Sequence, residues 1–150
     1  MSDELSENED LQRKYIEAIA SYLQEIGYKA KIEQDYIIRS AAGGYTVIVA
    51  PKIDIALPLS GNIQFHCGVS KEGTNIGLED VNSYNRRLRF CKMFFDEDND
   101  IAVQSDFFFD AFAEDAARRL ESMMLIVETS VNELRQTMAA SVRENDSGKG

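Results

Sequence analysis

The chain has 150 residues, which fits one domain, and 44% of them are hydrophobic, enough for a core without metal or disulfide support. Its 16 basic and 26 acidic side chains give a formal net charge of −10. This balance argues against binding to nucleic-acid phosphates, which requires clustered Lys and Arg, and against adsorption to an anionic membrane. We therefore expect neither nucleic acid nor membrane as a partner.

Residues 1–10 form an acidic, polar lead-in. This start is unlike a signal peptide, which begins basic and turns apolar, so we expect a cytoplasmic protein. Ser6 and Glu9 have capping-box spacing, so a helix is predicted to begin near them. Apolar residues then recur every three or four positions from Leu11 to Ile26, and Gly27 is a natural helix end.

Short β-like runs follow this helix. The runs Ala30–Glu33 and Tyr36–Ser40 can pair with each other, and a turn containing Gly43-Gly44 leads into Tyr45–Ala50. Residues 51–59 alternate like a strand but contain Pro58, so we interpret them as a loop or an edge strand. The run Ile63–Val69 is predicted to be the next strand.

The block from Leu78 to Phe107 predicts a short helix over Leu78–Leu88 and then a β-hairpin. The hairpin strands are Arg89–Phe95 and Ile101–Phe107, joined by the acidic turn Asp96–Asp100. We expect Asp110 to cap a final helix that runs to about residue 140. Residues 141–150 are small and polar and are predicted to be a disordered tail.

The final helix is apolar on every side over the stretch Met123-Met124-Leu125-Ile126-Val127. A helix that is apolar all round is buried all round, and the sheet can hide only one side. Either the N-terminal helix hides the other side, or a partner does, which would be a second copy of the chain or a client protein. We favour the partner and predict that Met123, Met124, Ile126, Val127 and Val131 bind it.

Three candidate chemical sites have weak support. The acidic turn lacks the Gly and Glu that a calcium-binding EF-hand loop needs, so Asp96 and Asp98 are interpreted as turn residues. His66 and Cys67 are neighbours on a strand, so their side chains point to opposite faces. Two cysteines and one histidine are too few for a zinc site, and we expect no metal, no cofactor and reduced thiols.

Arg86 belongs to a basic cluster that could grip a phosphate or an acidic segment, although such side chains more often pair with nearby acids. Asn82 and Asn85 share one face of the short helix. Asn is unfavourable inside a helix, so we expect both amides to bond backbone groups where the helix meets the next strand.

The residues of this block resemble the YbjN-domain family, whose members are labelled bacterial sensory transduction regulators. The resemblance covers roughly residues 11–135, with Tyr84 at a position where the family usually has Trp. The residues that carry it are Asn82, Tyr84, Asn85, Arg89, Phe90, Asp96, Asp98 and Asp106.

The family is similar in fold to type III secretion chaperones. The resemblance therefore implies an α+β domain over residues 11–140, with the order α-βββ-α-ββ-α and an antiparallel sheet packed against long N- and C-terminal helices. It carries over no catalytic residues. It implies a noncatalytic, chaperone-like or regulatory module that binds an unidentified client through apolar helix surface or a sheet edge, with a homodimer as the expected form.

Two other function classes stay open at this stage. One is a small-ligand sensor or an enzyme with a pocket near His66 and Arg86, which requires a convergent polar cleft. The other is a DNA mimic, which ranks last because the acids are scattered along the chain instead of following one face.

Overall fold

A computed structural model describes the backbone of residues 2–54 and 59–148 and the side chains of residues 7–54 and 59–142. It contains three helices and a six-stranded antiparallel sheet with the order β1-β2-β3-β4-β6-β5. The elements in chain order are α1 (Ser2–Glu25), β1 (Lys31–Ile32), β2 (Ile38–Ala42), β3 (Tyr45–Ile53), β4 (Ser60–Val69), α2 (Leu78–Arg87), β5 (Lys92–Phe95), β6 (Ile101–Asp110) and α3 (Ala116–Gly148).

The predicted α+β class and the antiparallel sheet packed against long N- and C-terminal helices are confirmed. Four strands precede α2 instead of three, because the run Ala30–Glu33 forms a separate two-residue strand that pairs Lys31 with Arg39. Gly43 and Gly44 make the tight turn between β2 and β3, with φ values of +57° and +85° that glycine adopts without strain.

The two faces of the sheet differ in what covers them. Alternate residues of β2, β3, β4 and β6 are buried under α1 and α3, as the period of two in a strand requires. Among the residues that the structure describes, no helix covers the other face, which is mostly exposed. We call it the open face; His66, Asp106 and Phe108 lie on it.

The core closes within one copy of the chain. Tyr15, Ile19 and Leu23 of α1 are fully buried against the sheet and α3. On α3, Met124, Val127 and Val131 are buried in the same core, with at most 3% of their surface exposed. Within one copy, these three residues are covered by the sheet and α1, and their predicted role in binding a partner stays a prediction.

The remaining side of α3 is less covered. Met123 and Ile126 are half-buried, and Leu125, which was outside the predicted set, is 54% exposed. The α-helical period explains the split, since positions 124, 127 and 131 share one face and position 125 points away from it. Only Met123 and Ile126 of the predicted partner-binding residues can therefore reach another molecule.

The ends of three elements differ from prediction. Helix α1 begins at Ser2, so the predicted lead-in of residues 1–10 is helical from its second residue. Strand β6 continues to Asp110, and α3 begins at Ala116, so Asp110 does not cap the helix. Instead, its carboxylate accepts a hydrogen bond from the N–H of Phe112 (2.8 Å) in the turn after the strand.

Helix α3 also runs past its predicted end, through Gly148. Ser141, placed in the predicted tail, is buried, and its hydroxyl accepts a hydrogen bond from the N–H of Asn75. This contact with the segment before α2 ties the last turns of the helix to the domain. The tail is thus helical to residue 148, and residues 149–150 lie outside the described chain.

Candidate protein-binding surface

One side chain bonds the outer edge of β5 at Met93. The Asn85 amide accepts a hydrogen bond from the N–H of Met93 (2.7 Å) and donates one to the carbonyl of the same residue (3.0 Å). A single amide thus replaces the two bonds that a neighbouring strand would make. The predicted backbone-bonding role of Asn85 is confirmed, and α2 is fixed against the edge strand.

Asn82 does not share this role. It is exposed on α2, and the described part of the chain offers no hydrogen bond to its amide. Tyr84, the aromatic residue between the two asparagines, is fully buried and donates a hydrogen bond to the carbonyl of Ser130 on α3 (2.7 Å). Asn85 therefore fixes α2 to the sheet, and Tyr84 fixes it to α3.

A second amide closes the edge of β3 where β2 no longer reaches. Gln12 of α1 donates to the carbonyl of Pro51 (2.8 Å) and accepts from the N–H of Ile53 (2.8 Å). Pro51 is tolerated inside this strand because its nitrogen faces the side without a strand partner. Residues 51–53 therefore extend β3, whereas residues 55–58 of the predicted loop lie outside the described chain.

The outer edge of β6 is open between Asp106 and Asp110. Strand β5 pairs with β6 only from Ile101 to Gln104, and no other described strand lies on that side. The N–H of Ala111 donates to the carbonyl of Leu59, the residue before β4. Because backbone groups alternate in direction along an antiparallel strand, the odd-numbered residues of β6 point theirs toward β4. The groups of Asp106 and Phe108 must then point outward, away from the sheet.

The bonds of Asn85 give the same alternation independently. Because Met93 directs its backbone groups to Asn85, its neighbour Lys92 directs its own toward Gln104, and Gln104 must therefore point away from β4. Asp106 and Phe108 follow Gln104 at steps of two. The Ala111–Leu59 bond and the Asn85–Met93 bonds thus agree that the backbone groups of Asp106 and Phe108 point outward from this edge.

Phe90 explains why β5 starts too late to cover this edge. Its φ of +67° is a left-handed conformation that a strand cannot contain and that is costly for an aromatic residue. Arg89 and Phe90 therefore lie in a loop, and the predicted strand start at Arg89 is wrong. The side chain of Phe90 is 68% exposed, so hydrophobic burial of the ring does not offset the energy of the strained backbone.

A groove of about 160 Å³ lies beside Phe90. The half-buried thiol of Cys91 and the side chain of Ile126 on α3 form part of its wall, and Arg89 lies at the same groove. We name the groove, Phe90 and the outward row Asp106–Asp110 the edge–groove surface. One signal in the sequence for this surface was the run Phe107-Phe108-Phe109, because three consecutive aromatic residues in a strand cannot all face one core.

The basic cluster is only partly engaged by the protein itself. Arg87 pairs with Glu133 of α3 (3.1 Å), not with the acids of its own helix. Arg86 and Arg89 are exposed. Asp106, at the far end of the family pattern, accepts a hydrogen bond from Gln64 on the open face (3.1 Å).

The alternative pocket near His66 and Arg86 is not assembled. His66 lies on the open face, bonded to Gln104 (2.9 Å), whereas α2, which carries Arg86, packs against α3 on the helix-covered side. At the surface, a hydrogen bond to Lys14 lowers the pKa of Asp10, and a hydrogen bond to Arg119 lowers the pKa of Asp115. They do not form the cleft of perturbed carboxylates that this alternative requires.

The thiols and the acidic turn show structural roles. Burial raises the pKa of Cys67 to about 11, which disfavours the thiolate that a nucleophile needs. In the turn, the Asp96 carboxylate accepts hydrogen bonds from the N–H groups of Asp98 and Asp100 (2.9 Å each), with Asn99 in a left-handed conformation. Within the described residues, no three His, Cys, Asp or Glu side chains come together as metal ligands.

A family model described as "YbjN: Putative bacterial sensory transduction regulator" matches residues 15–140. The chain belongs to the YbjN family. The match extends from α1 to α3, so it includes all six strands and Asn85, whereas Gln12 lies before its first residue.

Neither a curated protein nor a solved structure matches the chain significantly. The likeness to type III secretion chaperones therefore stays a prediction. Among the described helices, none is both long enough and apolar enough to cross a bilayer.

Proposed function

We propose that this YbjN-family protein is a noncatalytic regulatory module that works by binding another polypeptide at the edge–groove surface. The family description as a regulator is consistent with this function. The thiols carry raised pKa values, and the histidine and the densest arginine cluster lie on different sides of the sheet. These features favour binding over catalysis.

The observation that carries the proposal is Phe90. A large apolar side chain is held in solvent by a strained backbone, next to a groove with an apolar wall and a sheet edge with unused hydrogen-bonding groups. Strained non-glycine residues persist where the surrounding structure imposes them, often at binding sites. Exposed aromatic anchors and open edges are both common features of peptide recognition.

The predicted homodimer is kept as a second part of the proposal. Its interface would use Leu125, with Met123 and Ile126 beside it, because the other predicted residues belong to the core of one copy. A two-fold contact through one helix turn is small, so we expect a weak dimer whose population depends on concentration. The chaperone-like role toward a client also belongs to the proposal.

Photo-cross-linking from position 90 tests the proposed function. A photoreactive phenylalanine replaces Phe90 in one protein and Tyr36 in a matched control, since both residues are exposed aromatics with positive φ (67° and 58°). We expect position 90, but not position 36, to form a discrete cross-linked product in native cells, and Ile126→Asp to abolish it. Equal labelling from both positions, or none from position 90, would contradict the proposal.

A further inference from the structure

The chemistry of the open edge restricts what can bind there. Its outward row is flanked by two carboxylates, Asp106 and Asp110, with Phe108 between them. Asp106 and Phe108 are exposed on the open face, and Phe107 is half-buried on the helix-covered face. A strand added to this edge would therefore meet acid, apolar, apolar, apolar and acid in succession.

Directly opposed side chains on neighbouring strands interact, and opposite charges are favoured over like charges. We propose that the β6 edge binds an extended segment with a basic residue at each end and three apolar residues between them, added as a seventh strand. The basic residues lie opposite Asp106 and Asp110, and the central residue lies opposite Phe108. This inference rests on the proposed function and specifies the chemistry of its partner.

The electrostatics of the whole chain agree with this choice. A formal charge of −10 attracts a basic segment from a distance and repels an acidic one. The outward backbone groups of Asp106 and Phe108 supply two donors and two acceptors, which a strand can satisfy along its length. At two other strand edges, the outward groups of Met93 and those of Pro51 and Ile53 are already bonded by Asn85 and Gln12.

A second copy of the chain is a poor occupant for the same edge. Antiparallel pairing of two β6 strands about a two-fold axis at Phe108 would place Asp106 opposite Asp110 of the partner subunit, and the symmetry would repeat the clash. Like charges directly opposite each other destabilise a pair of strands. The predicted dimer, if it forms, must therefore use another surface such as Leu125.

A peptide titration tests the inference. The probe is a fluorescein-labelled heptapeptide with the sequence SKVYVKS, titrated with the full-length protein and followed by fluorescence anisotropy. We expect saturable binding that weakens with salt, and binding at least about tenfold weaker for the charge-reversed peptide SEVYVES.

Phe108→Pro tests the backbone part of the site. Proline removes an N–H that points outward and so leaves the ladder to β4 intact, as at Pro51. We expect this variant to bind the basic peptide at least about tenfold more weakly than Phe108→Val, which removes the same aromatic ring but keeps the N–H. Methylating the peptide nitrogen that faces Phe108 gives the same test without changing the protein.

Three outcomes would overturn the inference. They are absence of saturable binding to SKVYVKS, equal binding of both peptides, and unchanged binding when both Phe108→Pro and the methylated peptide are used. The proposed function fails separately. If position 90 still cross-links in the Phe108→Pro protein, the partner uses the groove and not the edge. If position 90 forms no cross-link in the protein without Phe108→Pro, the proposed function itself is contradicted.

Discussion

Asn82 and Asn85 stand three residues apart on α2, and the sequence predicted one role for both. Only Asn85 reaches the sheet, where its amide holds both backbone groups of Met93. The helical spacing correctly placed the two amides on one face, but it could not tell which turn of the helix faces the edge strand. That depends on where β5 starts, which is set by the conformation of Phe90.

Replacing Asn85 by Ala should lower the free energy of unfolding by about 1–3 kcal/mol, because two groups of Met93 lose their partner. Asn82→Ala is the matched control and should change it by less than about 0.5 kcal/mol, since Asn82 is also exposed but its side chain makes no hydrogen bond within the described residues. Urea denaturation followed by circular dichroism measures both. Equal effects of the two substitutions would contradict the assignment.

Cys67 gives a pH dependence. Its thiol has an ordinary pKa of 9.0, and burial raises this pKa to about 11 in the folded protein. As pH rises from 9 to 11, the unfolded chain loses this proton and the folded chain keeps it, so stability falls. We expect Cys67→Ala to lose stability less steeply over this range, by on the order of 1 kcal/mol, in urea titrations at each pH. Parallel curves for the two proteins would show that the thiol is not involved.

Among the elements, the hairpin of β5 and β6 shows what local pattern can and cannot predict. The acidic turn, the two strands and their antiparallel pairing follow from β-propensity and turn residues, and all are confirmed. The late start of β5 and the extension of β6 to Asp110 were missed. Both depend on a left-handed residue at Phe90 and on pairing with β4, neither of which leaves a local signal.

Phe90→Gly should stabilise the protein relative to Phe90→Ala by about 1 kcal/mol, because glycine adopts a positive φ without the strain that a Cβ imposes. Both substitutions remove the same exposed ring, so their difference isolates the backbone. Urea midpoints measure it. Equal stability of the two variants would show that the conformation of Phe90 is not strained.

Substitutions on the buried and exposed sides of helix α3 distinguish its role in folding from its proposed role in association. Val127→Asp should unfold the domain, since it places a carboxylate in a site with only 3% exposure, at a cost of several kcal/mol. Leu125→Asp changes an exposed residue of the same helix and should leave stability within about 0.5 kcal/mol of wild type. Circular dichroism checks folding. A folded Val127→Asp protein would contradict the packing of α3.

Leu125→Asp also tests the proposed dimer. Analytical ultracentrifugation of wild type over a range of concentrations should show a reversible dimer, and Leu125→Asp should sediment as a monomer. The sequence predicted excess apolar surface on this helix. Most of that surface is buried within one subunit, because α1 packs where a partner was expected.

At the scale of the whole molecule, one copy completes its own core and bonds two sheet edges with side-chain amides, Gln12 and Asn85. Composition and periodicity predicted the fold class and the family pattern, since these depend on local sequence. The run Phe107-Phe108-Phe109 was a signal for an exposed aromatic residue, but the open edge itself could not be predicted, because it depends on which strands become neighbours. The carboxylates that flank the open edge, Asp106 and Asp110, favour a basic partner over a second copy of this acidic chain.

Residue-specific amide hydrogen exchange by NMR tests the central claim most directly. In the free protein, the amides of Ser105 and Phe107, which point toward β4, should exchange slowly, while those of Asp106 and Phe108 exchange fast. Saturation with the SKVYVKS peptide should slow exchange at Asp106 and Phe108. Strong protection of these two amides in the free protein, or no change on adding the peptide, would show that the edge of β6 is not an open binding site.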